Sequence, residues 1–209
     1  MASDCTVAID NGYINIRVGA IIMKGNKFLM VGNQKDEYLY SVGGRIQFGE
    51  SAEEAVVREV FEGTGVRLEV DRLGFVHENF FYGDYGKKED KLIYEISFFF
   101  YMKTPDDFEP VCDSFTDDES KERLIWVDEK SDITYYPTFF REELRNPSSS
   151  VKHIVTDNAT QAQMIMYSKM FKINFTKMEP YEFKTFTEIL QRYSDAFKVP
   201  KGNGRGKRK

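Results

Sequence analysis

Apolar and polar positions along this chain change period several times, and each change marks an element. Residues 13–23, YINIRVGAIIM, are β-rich, and Gly25-Asn26 separates them from KFLMV at residues 27–31, which is a hairpin signal. A polar loop from Gly32 to Glu37 precedes YLYSV, residues 38–42, a short strand leading into Gly43-Gly44. Ser51 followed by Glu54 fits the S-x-x-E capping box and predicts a helix from Ala52, with Gly65 as its left-handed stop. On that helix Val56, Val57, Val60 and Phe61 gather on one side, and Glu54, Arg58, Glu59 and Glu62 on the other.

Farther along, residues 67–70 and 74–82 read as extended, and residues 83–90 as a turn-rich polar loop. Residues 92–102, LIYEISFFFYM, are so continuously apolar that a strand covered on both faces is expected. Glu95 is its exception, a charge among aromatics that needs a partner or an aqueous cavity. Residues 104–120 are acidic and aperiodic, a solvated loop or the wall of a site. Residues 124–127, LIWV, resume a strand, Pro137 stands near the first turn of a short helix, and residues 151–156 form a final strand. The polar residues 157–163 read as a linker. Residues 164–175 suit a strand pair or a helix, and residues 187–197 have helical spacing. The order predicts an α/β sandwich, a mixed sheet with helices on both faces. Neither GxGxxG nor GxxxxGK[ST] occurs.

Composition narrows the classes. A chain of 209 residues suits one main domain with an appendage, and 41% hydrophobic with 30% charged residues argues against wholesale disorder. Net charge is -5, yet Lys201, Arg205, Lys207, Arg208 and Lys209 lie in an acid-free tail, which leaves residues 1–200 at -10. So acidic a body disfavours backbone binding to nucleic acid, and such contact is left to the basic tail, whose other reading is a solubilising end. Cys5 and Cys112 form no CxxC or zinc spacing. No secretory pattern or apolar run of about 20 residues occurs, so a soluble cytoplasmic protein without membrane contact is expected.

Candidate chemistry concentrates between Gly44 and Val66, GRIQFGESAEEAVVREVFEGTGV, where glycines permit close approach and carboxylates crowd one helix face. Carboxylates with turned-in carbonyls are what hard cations such as Mg²⁺ or Mn²⁺ select. The stretch resembles the Nudix box, G-x5-E-x7-R-E-U-x-E-E-x-G-U, through Gly44, Glu50, Arg58, Glu59, Val60, Glu62, Gly65 and Val66. Gly63 stands where the family's pattern has the second acid of its E-E pair.

The resemblance covers about residues 13–156 and implies a Nudix-like (MutT-like) α/β/α sandwich in residues 1–157, with residues 158–200 as an appendage and 201–209 as the tail. It also implies Mg²⁺- or Mn²⁺-dependent hydrolysis of the pyrophosphate bond of a small nucleoside diphosphate derivative. Glu59 and Glu62 would be metal ligands, with the Gly43 carbonyl and Glu50 as further candidates. Glu59 is also the candidate base, Arg58 would hold the carboxylates, and Glu122 is a candidate acid from a later loop. Arg45, Tyr40 and Tyr82 are substrate-binding candidates, and a homodimer is compatible with the family. Gly63 opens the alternative of a catalytically weak ligand-binding or regulatory module whose appendage contacts a partner or nucleic acid.

Overall fold

The computed structural model describes residues 3–10, 12–33, 37–83, 88–111, 121–128 and 130–196. The basic tail, Cys112 and residues 113–120 of the acidic segment lie outside them. Among the described residues the strands are β1 (Thr6–Ile9), β2 (Gly12–Ile21), β3 (Met23–Lys24), β4 (Lys27–Gly32), β5 (Tyr38–Arg45), β6 (Glu69–Tyr82), β7 (Leu92–Lys103), β8 (Arg123–Val127), β9 (Thr134–Tyr136) and β10 (Lys152–Asp157). The helices are α1 (Ala52–Thr64), α2 (Phe140–Glu143), α3 (Asn158–Phe171) and α4 (Pro180–Ala196). The strands pair in the order β10-β6-β7-β2-β5-β4-β3, with β1 on β2, β8 on β4 and β9 on β5. The sheet is mixed: β2 is parallel to β7 and β5 to β9, whereas β2/β5 and β6/β7 are antiparallel.

Strand alternation explains why one sheet serves two cores. On β7, Phe100 and Met102 are buried with α1, in a cluster containing Ala55, Val56, Val60, Val18, Ala20, Leu29 and Val42. Their neighbours Phe99 and Tyr101 are buried in the other cluster, with Ile21, Met30, Phe75 and the α2 residue Phe140. The unbroken apolar run of β7 is therefore covered on both faces, and the architecture is the expected α/β/α sandwich.

Three local readings are corrected. Residues 67–70 and 74–82 are not separate extended pieces, because β6 runs on from Glu69 through register shifts at Val70/Arg72 and Leu73/Phe75, bulges that bend the strand without ending it. Phe61 is 47% exposed and lies under the Arg67 guanidinium, so the buried face of α1 is rotated toward Ala55, Val56, Val60 and Thr64. The polar residues 157–163 do not form a linker. Asp157 caps α3, its carboxylate accepting from the Thr160 N–H at 2.8 Å, so polarity there marks a helix start.

The chain divides into two compact units, residues 1–156 and 157–209. Within the second, residues 164–171 are helical and a 3₁₀ turn, Phe175–Lys177, follows. Met164, Phe175 and Phe183 are its buried centre, with Tyr167, Met178 and Phe186 packed around them.

His77, on β6 beneath the α2 layer, is 5% exposed and its Nε2 lies 2.9 Å from the Thr156 hydroxyl. It edges onto the Phe139 ring, and burial pushes its pKa down to about 4. The unfolded chain thus takes up a proton near pH 6.5 that the folded chain refuses until about pH 4. Stability from this group is fully present above pH 6.5 and declines on acidification by up to about 3 kcal/mol. Urea unfolding of His77→Gln between pH 7 and 4.5 should show a shallower loss of stability than the parent chain.

Candidate functional site

Helix α1 begins where its sequence says it should. The Glu54 N–H donates to the Ser51 hydroxyl at 3.2 Å, and the Ser51 N–H donates to the Glu54 carboxylate at 2.8 Å, a reciprocal capping box. At the far end Gly65 adopts φ 70° and its N–H donates to the Phe61 carbonyl at 2.8 Å. Both termini being fixed, the rotation of Arg58, Glu59 and Glu62 about the helix axis is fixed too.

Arg58 is the centre of the site. Its Nε and Nη2 donate to the two oxygens of Glu50 at 3.1 and 2.6 Å, a bidentate pair across the loop. Nη2 also donates to the Arg45 carbonyl at 3.1 Å. Nη1 donates to Glu59 at 2.8 Å and to Glu62 at 3.2 Å. Glu50 accepts further from the Gln47 N–H at 2.7 Å, so both its oxygens are engaged in holding the loop and the arginine. The Arg58 bond holds the Glu50 carboxyl below its usual range, and the same contact pushes Arg58 further up.

Glu59 behaves differently although it shares the arginine. Its side chain is 17% exposed, and burial drives its pKa up more than Arg58, and more weakly Arg17, pull it down. A carboxyl raised by desolvation is a stronger base once ionised, which suits proton transfer. Its position depends on Gly44 of β5, and the close approach of β5 to β2 on Gly43. A Cβ at Gly44 would stand 2.3 Å from a Glu59 carboxylate oxygen, and one at Gly43, with φ 149°, would stand 2.2 Å from the Val18 carbonyl. Only bare backbone lets the helix set its carboxylate against the strand.

The other sequence candidates fall around this centre or away from it. Glu62 is 56% exposed and accepts from Arg58 at 3.2 Å. Tyr40, on β5, donates to the Glu122 carboxylate at 2.5 Å, which joins two candidates chosen for different reasons. Arg45 donates to Asp4 at 3.2 Å. Tyr82 pairs with Leu92, five positions along β7 from Ser97, the partner of Arg17, hence about 17 Å of strand away. Arg17 itself went unnoticed in the sequence. Its signal was Asn15 and Arg17 at alternate positions of an otherwise apolar β2.

Among the described residues no three His, Cys, Asp or Glu side chains are grouped to hold a metal ion. Beside Arg58, Glu50 gives both of its oxygens to the guanidinium, and Glu59 and Glu62 give one each.

A mixed sheet between helical layers, with a capped acidic helix seated on a glycine strand, defines an α/β/α sandwich. Residues 14–131 match the family model of the NUDIX domain, and the chain belongs to that family. Similar solved structures include an ADP-ribose pyrophosphatase from Streptococcus suis 89-1591, 14% identical over 68% of this chain and 98% of its own, with a TM-score of 0.47. Others are a NUDIX hydrolase from Nitrosomonas europaea (18%, covering 72% and 81%, TM-score 0.46) and a MutT NUDIX hydrolase from Burkholderia pseudomallei (16%, covering 65% and 98%, TM-score 0.46). No curated protein matches the sequence.

Removing Arg58 leaves Glu50 and Glu59 facing each other without a cation. Arg58→Gln should lower stability by roughly 2 to 3 kcal/mol, between an exposed and a buried ion pair. Arg58→Lys should recover only part of that in urea unfolding, because an ammonium cannot make the bidentate contact with Glu50.

Proposed function

We propose that this chain is a Nudix-fold module that binds a diphosphate-linked nucleotide derivative and hydrolyses its pyrophosphate bond weakly. The observation that carries the reading is the state of the carboxylates on α1: one arginine gathers Glu50, Glu59 and Glu62, and Gly63 adds no further acid. Family membership supports diphosphate chemistry at this place, and the short acidic set supports binding over rapid turnover.

Each of Glu59 and Glu62 gives one oxygen to Arg58. Two such carboxylates fit a single ion of the Mg²⁺ or Mn²⁺ type that keeps most of its water, and fall short of a cluster. Such an ion, when bound, would neutralise phosphate charge and acidify water. In this reading Glu50 acts through Arg58, fixing the loop against the helix, and Arg58 orients Glu59 and Glu62. Glu59, buried and raised in pKa, accepts a proton, while Glu62 faces solvent. Tyr40 and Glu122 hold each other on the β5 side and shape the approach. Arg45 and the Gly43 carbonyl border it. Residues 158–196 form the appendage, whose partner class is left to experiment.

Gly63 offers a direct test because the structure tolerates a side chain there. A Cβ would meet only Val42 Cγ1, at 3.5 Å, an ordinary contact. Gly63→Glu should therefore fold, gain up to ~1 kcal/mol in helix stability, and raise Mg²⁺-dependent formation of the nucleoside monophosphate from nucleoside diphosphate derivatives about tenfold or more over the parent chain. The parent chain should bind the same compounds by calorimetry while turning them over slowly. Fast turnover by the parent, or no binding by either protein, overturns the proposal.

A further inference from the structure

Helix α3 carries apolar side chains on two sides, of which one is buried within its own unit and the other is exposed. Toward the centre of that unit it turns Met164, with Tyr167 packed beside it. At about 100° per residue the opposite side holds Ala162, Ile165, Met166, Lys169 and Met170, and Ile173 continues the line just past the helix end. Ile165, Met166, Met170 and Ile173 are 48 to 63% exposed. Single exposed apolar residues are ordinary, whereas four in one line along a helix mark a contact.

Charge decides what covers this line. From Asn158 to Met178 the chain has no Asp or Glu and three lysines, Lys169, Lys172 and Lys177. A second copy laid on the same face would bring lysines together with no acid of that stretch between them, which disfavours self-association. Residues 157–209, the second compact unit, hold 11 Lys and Arg against five Asp and Glu, a net +6 that leaves residues 1–156 at -11. An anionic surface therefore attracts this unit and repels the rest of the chain. Nucleic acid would satisfy the lysines but offers little apolar surface to Ile165, Met166 and Met170. Among the described residues, the hollow over the line is walled by α3 alone, through Ala162, Ile165, Met166, Lys169 and Met170. No second element builds a groove to seat a partner's side chains, and a fluid apolar layer needs none.

We propose that α3 is a membrane-surface contact. Ile165, Met166, Met170 and Ile173 enter the boundary between headgroups and acyl chains of an anionic bilayer, and Lys169 and Lys172 reach the lipid phosphates. Lysine suits that place because its methylene stem lies along apolar surface while the ammonium stays in the charged layer. Unbranched methionine side chains adapt to a disordered apolar layer. One short apolar line binds weakly and reversibly, and a basic patch on the same unit supplies the second attraction that a stable contact needs. Lys201, Arg205, Lys207, Arg208 and Lys209 provide that patch in the sequence. No helix among the described residues is long and apolar enough to cross a membrane. The expectation of a chain without membrane contact rested on spanning length, which a helix lying on the surface does not need. The inference is independent of the diphosphate reading, which concerns residues of the first unit.

The test is co-sedimentation of the full chain with vesicles of phosphatidylcholine alone and of equimolar phosphatidylcholine and phosphatidylserine. The chain should bind the mixed vesicles at least about tenfold more tightly, the worth of one or two lysines near a charged bilayer. Added salt should weaken that binding. Ile165→Gln with Met170→Gln removes apolar surface while keeping charge and helix propensity, and should lower the affinity at least about tenfold. Met166→Gln with Ile173→Gln should do the same, so that a folding defect in one pair, read by circular dichroism, leaves the other to decide. No binding to the mixed vesicles, or binding that survives both pairs of substitutions, overturns the proposal. Single-stranded RNA bound as tightly as the mixed vesicles, and just as tightly by both pairs, assigns the unit to polyanions in general and overturns it. A dimer in sedimentation velocity that either pair dissolves, without vesicle binding, gives the line to a second copy and overturns it too.

Discussion

The guanidinium of Arg58 joins a loop, a strand and a helix. One planar group donates to both oxygens of Glu50, to the Arg45 carbonyl, and to Glu59 and Glu62. Because its donors are fixed in a plane, satisfying Glu50 also dictates where Glu59 and Glu62 must sit. Charge supports the arrangement: three acids around one cation would repel one another without it, and the buried Glu59 would be costly to ionise. Gly44 completes the constraint by leaving room for the Glu59 carboxylate where any side chain would collide.

In the proposed function, that arrangement also weakens the site as a metal centre. An acid that gives both oxygens to an arginine has little left for a cation, and the helix offers bare backbone at Gly63. Stability of the loop and helix, and strength of the metal set, therefore compete for the same carboxylates. The short acidic set and the tightly tied arginine are two views of one choice.

The sheet divides the molecule's work. One face packs α1, and the other changes within a few residues from aromatic core to polar rows. The change follows the strands: on β7, Glu95 and Ser97 point the same way as Phe99 and Tyr101, and only position along the strand separates polar from apolar. Arg17, on the polar side of β2, lies near enough to Glu59 to influence it.

Much of this was legible in the sequence because it is local. The capping box at Ser51 and Glu54, the stop at Gly65, the hairpin at Gly25-Asn26 and the doubly covered β7 depend on neighbours a few residues apart, and on hydrophobic period. The spacing of Gly44, Glu50, Arg58, Glu59 and Glu62 named the family by itself. Other features were not legible. The exposure of Phe61 depends on how α1 is rolled against the sheet, and β1 and β9 are strands because a neighbouring strand accepts their bonds. The polar stretch after Asp157 forms a helix because Asp157 caps it and an apolar centre at Met164, Phe175 and Phe183 forms later in the chain. The sequence by itself determined the locally signalled elements and the identity of the acids. Only the tertiary structure decided which acids Arg58 takes up, and that Asn15, Arg17, Asn79, Glu95 and Ser97 lie side by side, because pairing across strands brings together residues that no local spacing connects.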